Sequence, residues 1–231
     1  MPILIAPMRE VQDHYFREAK REGYFSRAAY KLIEIDDRKK VLHPGDRVLD
    51  CGAAPGSWLQ VAAQRVGAKG IVVGIDLQPI KHRFTQANIR VLEGDFTATA
   101  PEALLQSAGP PLRPFDVILS DMAPNTSGDP SGDHHRSARL CEALLDRCGG
   151  LLRNGGNLVM KVFEGETYPE LLKRMGTMFE SAKGFKPKAS RSESAEMYVI
   201  GTGFHPQAVA TESASASVPH KRSPSSGWTN P

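Results

Sequence analysis

Short apolar runs alternate along this chain with longer segments whose apolar positions recur at helical spacing. Arg47-Val48-Leu49-Asp50-Cys51 reads as a strand that ends in a glycine-rich turn, and Gly56 to about Val66 reads as a helix. Further strands fall at Ile71–Asp76, Ile89–Leu92 and Phe115–Asp121. A long helical pattern covers about 133–152, Gly155-Gly156 turns the chain into a strand at Asn157–Phe163, and another helix spans about Tyr168–Glu180. Two last strands are expected at about 184–189 and 196–202. Continuous apolar runs mark strands covered on both faces. Their alternation with helices predicts an α/β protein with a mostly parallel, doubly wound sheet. Ligands of such sheets bind beyond the carboxyl ends of the strands. Asp50, Asp76, Asp121 and Lys161 stand at those ends.

The turn Asp50-Cys51-Gly52-Ala53-Ala54-Pro55-Gly56-Ser57-Trp58 joins the first strand to its helix. Its glycines permit a sharp bend and close approach of a ligand. The spacing is G-x-x-x-G. It matches neither the dinucleotide fingerprint nor a P-loop, which needs Lys-Ser/Thr. Asp76 ends the next strand, where an acid accepts hydrogen bonds from ribose hydroxyls. Asp95, after the third strand, is placed to meet a base's exocyclic amine. S-adenosylmethionine fits this set better than a nicotinamide cofactor, because it carries ribose and adenine without phosphate. The plain alternative is an ordinary tight turn between strand and helix.

Lys161 interrupts Leu158-Val159-Met160 and Val162-Phe163. A lysine in such a run is costly to bury unless paired or deprotonated. Asp121, at the end of a neighbouring strand, makes function the better reading than a lysine snorkelling to solvent. Period-two alternation puts Ser194, Glu196 and Tyr198 on one face of the last strand. Function and a solvated face are evenly matched there. Lys31, in Ser26-Arg27-Ala28-Ala29-Tyr30-Lys31-Leu32, has the default reading of a surface lysine behind a Ser26 helix cap.

Taken together, SRAAYKL (26–32), DCGAAPGSW (50–58), SDMAPN (120–125), VMKVFEGE (159–166) and SRSESAEMY (190–198) closely resemble the FtsJ/RrmJ (RlmE) family of ribosomal RNA 2′-O-methyltransferases. The resemblance covers about residues 10–204. It implies a Rossmann-like, S-adenosylmethionine-dependent methyltransferase fold, with a seven-stranded sheet whose last strand is antiparallel. The family's K-D-K-E tetrad falls on Lys31, Asp121, Lys161 and Glu196. Its cofactor positions fall on Gly56, Trp58, Asp76, Asp95 and Asp121. The implied substrate is a uridine 2′-hydroxyl in the A-loop of large-subunit (23S-type) ribosomal RNA. The departures, Cys51 for the usual Leu and Ser57 for the frequent Gly, leave the tetrad intact.

Lys161 is then the candidate general base. It must be neutral to accept a proton, whereas a free lysine has a pKa of about 10.4. Burial and Lys31 push that value down, and Asp121 and Glu196 oppose the shift.

Composition narrows the remaining choices. The chain has 231 residues, 40% hydrophobic and 24% charged, with a net charge of +3. We expect a flexible segment over 1–9, the methyltransferase domain over 10–204 and a disordered Ser/Ala/Thr/Pro-rich tail over 205–231. No run approaches the ~20 apolar residues of a membrane helix. Three cysteines without a C-x-x-C pair argue against a disulfide scaffold and a zinc cluster, and no other metal site is expected. A cytoplasmic monomer acting on ribosomal RNA or the large ribosomal subunit, with no membrane partner, is the expectation. Arg17, Lys20, Arg21, Arg38 and Lys39 interleave with Tyr15, Phe16, Tyr24 and Tyr30, a mixture suited to phosphate contact and base stacking. Seven acidic residues among the first 45 leave an ordinary amphipathic surface nearly as good a reading. Lys183, Lys186, Lys188 and Arg191 form a second basic strip, and His134-His135 reads as a solvated loop pair. Rival functions are a base methyltransferase, a transfer-RNA ribose methyltransferase, a nicotinamide-dependent oxidoreductase, and a non-catalytic RNA-binding or ribosome-assembly module. Cys141 and Cys148, placed in or at the end of a helix, argue against a cysteine nucleophile for base methylation.

Overall fold

A computed structural model describes residues 8–124, 128–190 and 194–205. Thirteen elements follow one another in the order α1 (Met8–Glu22), α2 (Ala29–Lys39), β1 (Arg47–Cys51), α3 (Ser57–Val66), β2 (Ile71–Asp76), β3 (Ile89–Glu93), α4 (Pro101–Ser107), β4 (Phe115–Ser120), α5 (Pro130–Leu151), β5 (Leu152–Phe163), α6 (Tyr168–Met178), β6 (Phe179–Phe185) and β7 (Glu196–Phe204). The strands form one seven-stranded sheet in the order β3-β2-β1-β4-β5-β7-β6. The first five in that order are parallel, and β7 runs antiparallel to both β5 and β6.

The central strands form because their residues are apolar on both sides: every residue of β1 and of β4 is buried. One face of the sheet packs on α4, α5 and α6 through Leu104, Leu144, Leu145, Leu151, Leu171 and Met175. The other packs on α2 and α3 through Leu32, Ile35, Trp58, Leu59 and Val66. Alternation assigns each strand residue to a face. Leu49, Val73, Ile118, Met160 and Val199 belong to the α4–α6 side. Val48, Val72, Leu119, Val159 and Ile200 belong to the α2/α3 side. The same parity carries Asp50, Asp76, Asp121, Lys161, Glu196 and Tyr198 to the α2/α3 side.

Helix ends follow local chemistry. Asp129 caps α5, accepting from the main-chain N–H groups of Ser131 and Gly132, with Pro130 in the first turn. At α3 the preceding residue is Gly56, with φ of 110°. A Cβ there would lie 2.7 Å from Phe84, so only glycine fits both the backbone angle and the packing.

The structure departs from the sequence reading at several places. The helix at 168 stops at Met178, and β6 begins at once at Phe179 rather than near 184. Phe179 stands opposite Phe204 across β6 and β7, and their ring centroids are 5.3 Å apart. That contact makes Phe179 a strand residue. Strand β5 begins at Leu152, paired with Phe115 and followed by a bulge, rather than at Asn157. Ser26 is not the residue that precedes α2, which is Ala28 with no side-chain cap; the Ser26 hydroxyl accepts from the Ala28 N–H at 3.2 Å, in the turn leading into the helix, and meets the Ser57 hydroxyl at 2.7 Å. His134 and His135 lie within α5, and His134 is buried. Its Nδ1 lies 2.8 Å from the Phe163 carbonyl, and its Nε2 accepts from the Thr167 N–H at 3.1 Å, so it ties down the loop after β5. Helix α1 begins at Met8, inside the stretch assigned to a flexible N-terminus, and residues 206–231 lie outside the described residues.

Candidate active site

The carboxyl ends of β1, β2 and β4 open onto a cavity of about 570 Å³. Gly52 and Ala54 form one wall, and Asp76, Asp95, Asp121 and Met122 line the rest. Asp76 Oδ2 accepts from the Ala54 N–H at 2.9 Å, and its Oδ1 accepts from the Gln78 N–H at 2.7 Å. One carboxylate thus shapes the glycine-rich loop and the turn facing it. Gly52 has φ of 79°, and a Cβ there would lie 2.8 Å from the Met122 N atom, so the loops after β1 and β4 touch through a glycine. Asp95 Oδ1 accepts from both the N–H and the hydroxyl of Thr97, which holds its carboxyl below the usual carboxylate range.

Three carboxylates on one wall suit a ligand that bears positive charge and lacks phosphate. The glycine-rich loop itself carries no lysine, and Lys81 and His82 line another part of the cavity. The sulfonium and ammonium groups of S-adenosylmethionine suit the three carboxylates.

Beside Asp121 the tetrad residues converge. Lys161 Nζ donates to the Asp121 carbonyl at 2.7 Å and lies 3.0 Å from its Oδ1. Lys31 Nζ donates to Glu196 Oε2 at 2.8 Å. Both lysines are buried, at 6% and 7% exposure, which a charged or polar amine tolerates only with such partners. The strand register explains the grouping: Lys161 pairs with Tyr198, and Phe163 with Glu196. Residues 165 positions apart in sequence therefore become neighbours.

Tyr198 is the site residue that the sequence reading left unassigned. It is fully buried, and its hydroxyl donates to Asp121 Oδ1 at 2.7 Å. The Lys31 amine sits 5.8 Å from its ring centroid. Tyr198 thus bridges the two ion pairs. Burial first, then Asp121 and Glu196, hold its phenol well above the usual range, so it acts as a donor and not as a base. The only available signal was its place beside Glu196 on one strand face.

Gly56 and Trp58 are not among the residues lining the cavity. Trp58 is 3% exposed, and its indole N–H donates to the Ala28 carbonyl at 2.9 Å, which ties α3 to the start of α2. Asn125 and residues 191–193, which include Arg191, lie outside the described residues.

Asp50 lies under this site, wholly buried, and neither carboxyl oxygen has a partner among the described residues. Desolvation first, then Asp121 and Asp76, raise its carboxyl well above the usual range. A raised carboxyl takes up a proton on folding above the unfolded carboxylate range, so its contribution to stability falls as pH rises. Asp50→Asn is expected to raise the thermal midpoint near neutral pH, with the gain vanishing at about pH 4, where unfolded aspartate protonates. Melting curves across that range check it; a difference independent of pH contradicts a protonated Asp50.

The chain belongs to the FtsJ-like methyltransferase family, whose model matches residues 24–204. This is a family of S-adenosylmethionine-dependent methyltransferases, and the sheet and cavity are those of that class. Over 191 residues the chain is 52% identical to the ribosomal RNA large subunit methyltransferase E of Syntrophobacter fumaroxidans, covering 83% of this chain and 95% of that one. It is 46% identical over 209 residues to the protein of the same name from Gluconobacter oxydans, covering 90% of this chain and 75% of the relative. Among solved structures, a putative ribosomal RNA methyltransferase from Plasmodium falciparum matches with a TM-score of 0.67 at 28% identity, covering 78% of this chain and 98% of that one. Fibrillarin from Aeropyrum pernix, solved with S-adenosyl-L-methionine bound, shares the fold at a TM-score of 0.53 and 18% identity, covering 76% of this chain and 74% of fibrillarin. No helix among the described residues is long and apolar enough to cross a membrane, and none of their His, Cys, Asp and Glu side chains group as a metal site.

Proposed function

We propose that this protein methylates ribosomal RNA at the 2′-hydroxyl of a uridine in the A-loop of the large-subunit (23S-type) molecule, with Lys161 as general base. The names of its relatives support ribosomal RNA as the substrate. The observation that carries the ribose reading is the Lys161 amine, buried and 3.0 Å from the Asp121 carboxylate that also lines the cavity. Bound there, S-adenosylmethionine supplies an activated methyl group on a sulfonium.

What remains for the protein is alignment and the uptake of one proton. To take that proton, the Lys161 amine would turn a lone pair to the ribose hydroxyl while its N–H groups stay on the carbonyl and the carboxylate of Asp121. Tyr198 fixes Asp121, so the amine keeps one orientation. Lys31, neutralised by Glu196, adds a second amine beside the incoming nucleotide, where it orients the ribose or its phosphate. Asp76 and Asp95 hold the cofactor's ribose and adenine amine.

Large ribosomal subunits, free ribosomal RNA and transfer RNA, each offered with methyl-labelled cofactor, test the assignment. The label is expected on ribosomal RNA, at one uridine ribose when mapped. Label on transfer RNA alone, or on a base, defeats the proposal.

A further inference from the structure

Helices α1 and α2 and the stretch after β6 enclose a second hollow, of about 350 Å³, outside the cofactor cavity. Tyr15 and Tyr30 form one wall, with ring centroids 5.4 Å apart and planes tilted by 45°. Both rings are half-buried, and Glu22 accepts the Tyr30 hydroxyl at 3.0 Å, which fixes that ring. Arg38 and Lys188 also line it.

The acids of the hollow are already engaged. Glu34 Oε2 accepts from the Lys188 N–H at 2.7 Å and faces Arg38 at 3.6 Å. Asp37 pairs with Arg65 at 2.7 Å. Of the two cations lining the hollow, Arg38 faces Glu34, and the Lys188 ammonium forms no ion pair with an acid among the described residues. Arg38 and Lys39 flank the Phe185 ring, each 5.8 Å from its centroid.

We infer that this hollow is a subsite for an unpaired nucleobase of the RNA substrate, stacked on Tyr15 and Tyr30 while the Lys188 ammonium holds a neighbouring phosphate. It rests on the RNA substrate proposed above and deepens it. An aromatic wall takes any base through its π-face, and the Lys188 ammonium, free of an acid partner among the described residues, takes the backbone. An acidic protein partner would use Lys188 but has no need of a face built from two rings. The subsite would select RNA that offers a base free to leave its stack.

Two measurements on the full chain decide the matter. In the first, methyl transfer to ribosomal RNA is followed for Tyr15→Ala, Tyr15→Phe and Lys188→Glu. Tyr15→Ala should raise KM for RNA about tenfold, the scale of one lost stacking contact, with kcat and cofactor affinity little changed. Tyr15→Phe keeps the π-face and should keep the wild-type KM. Lys188→Glu lies on an exposed stretch and should raise KM without a loss of thermal stability. An unchanged KM in Tyr15→Ala, or an equal loss in Tyr15→Phe, overturns the inference. In the second, an unstructured RNA oligonucleotide with one 2-aminopurine reports stacking directly. Its fluorescence should be quenched by the wild type and not by Tyr15→Ala; equal quenching by both overturns the subsite. If the wild type methylates no ribosomal RNA, the proposed function fails, and the quenching result still decides the subsite by itself.

Discussion

Lys161→Ala is expected to cost about 10²–10⁴-fold in methyl transfer, the usual contribution of a positioned general base. Cofactor affinity should hold, because Lys161 is not among the residues lining the cavity. The fold should hold as well: Asp121 still accepts from Tyr198, so the deletion does not leave that carboxylate without a donor. Lys161→Arg sharpens the test. Arginine keeps the charge and the pairing with Asp121 but cannot give up its proton. If Lys161 serves as the base, both variants fail in single-turnover transfer. If it serves only as a cation, arginine restores much of the rate. A wild-type rate in Lys161→Ala removes the base assignment altogether.

Asp76→Ala should weaken cofactor binding about 10–100-fold. The substitution removes the proposed ribose partner and also the acceptor for the Ala54 and Gln78 N–H groups. A donor that loses its partner in a closed site costs about 1–3 kcal/mol, and 1.4 kcal/mol is tenfold in affinity. Calorimetric titration with S-adenosylmethionine reads the effect. Asp76→Asn, which keeps one acceptor oxygen, should fall between the two. Wild-type affinity in Asp76→Ala places the cofactor ribose elsewhere.

The central sheet was legible because β1, β2 and β4 are buried on both faces, and a run such as Val117-Ile118-Leu119 leaves little choice of conformation. Strand β6 was not. Phe179-Glu180-Ser181-Ala182-Lys183-Gly184-Phe185 lies at the sheet edge with one partner, and only its pairing with β7 sets where it starts. Helix α4 escaped because a seven-residue segment with Leu104 as its buried residue carries no readable period. Lys161, Asp121 and Glu196 could be picked out as polar residues at strand ends. Lys31 could not, since its helix gives no reason to expect a buried lysine, and the family resemblance alone pointed to it. Tyr198 needs the register of β5 on β7 before it stands opposite Lys161. Trp58 shows the converse: a conspicuous aromatic beside a ligand loop that packs into the core.

The strand that carries Glu196 and Tyr198 is not the outermost one; it slots between β5 and β6. Domains fold as the ribosome delivers them, at about 5–20 residues per second. A nascent chain that has emerged only as far as β6 can shape the cofactor cavity, whose lining runs from Gly52 to Leu140. It has no Glu196 for the Lys31 amine and no Tyr198 hydroxyl for Asp121, which is left with Lys161 alone. The last strand made therefore does two jobs at once: it gives β6 its only strand partner and delivers Glu196 and Tyr198, so a translation product interrupted before it would keep the cavity residues and lack half of the tetrad's support.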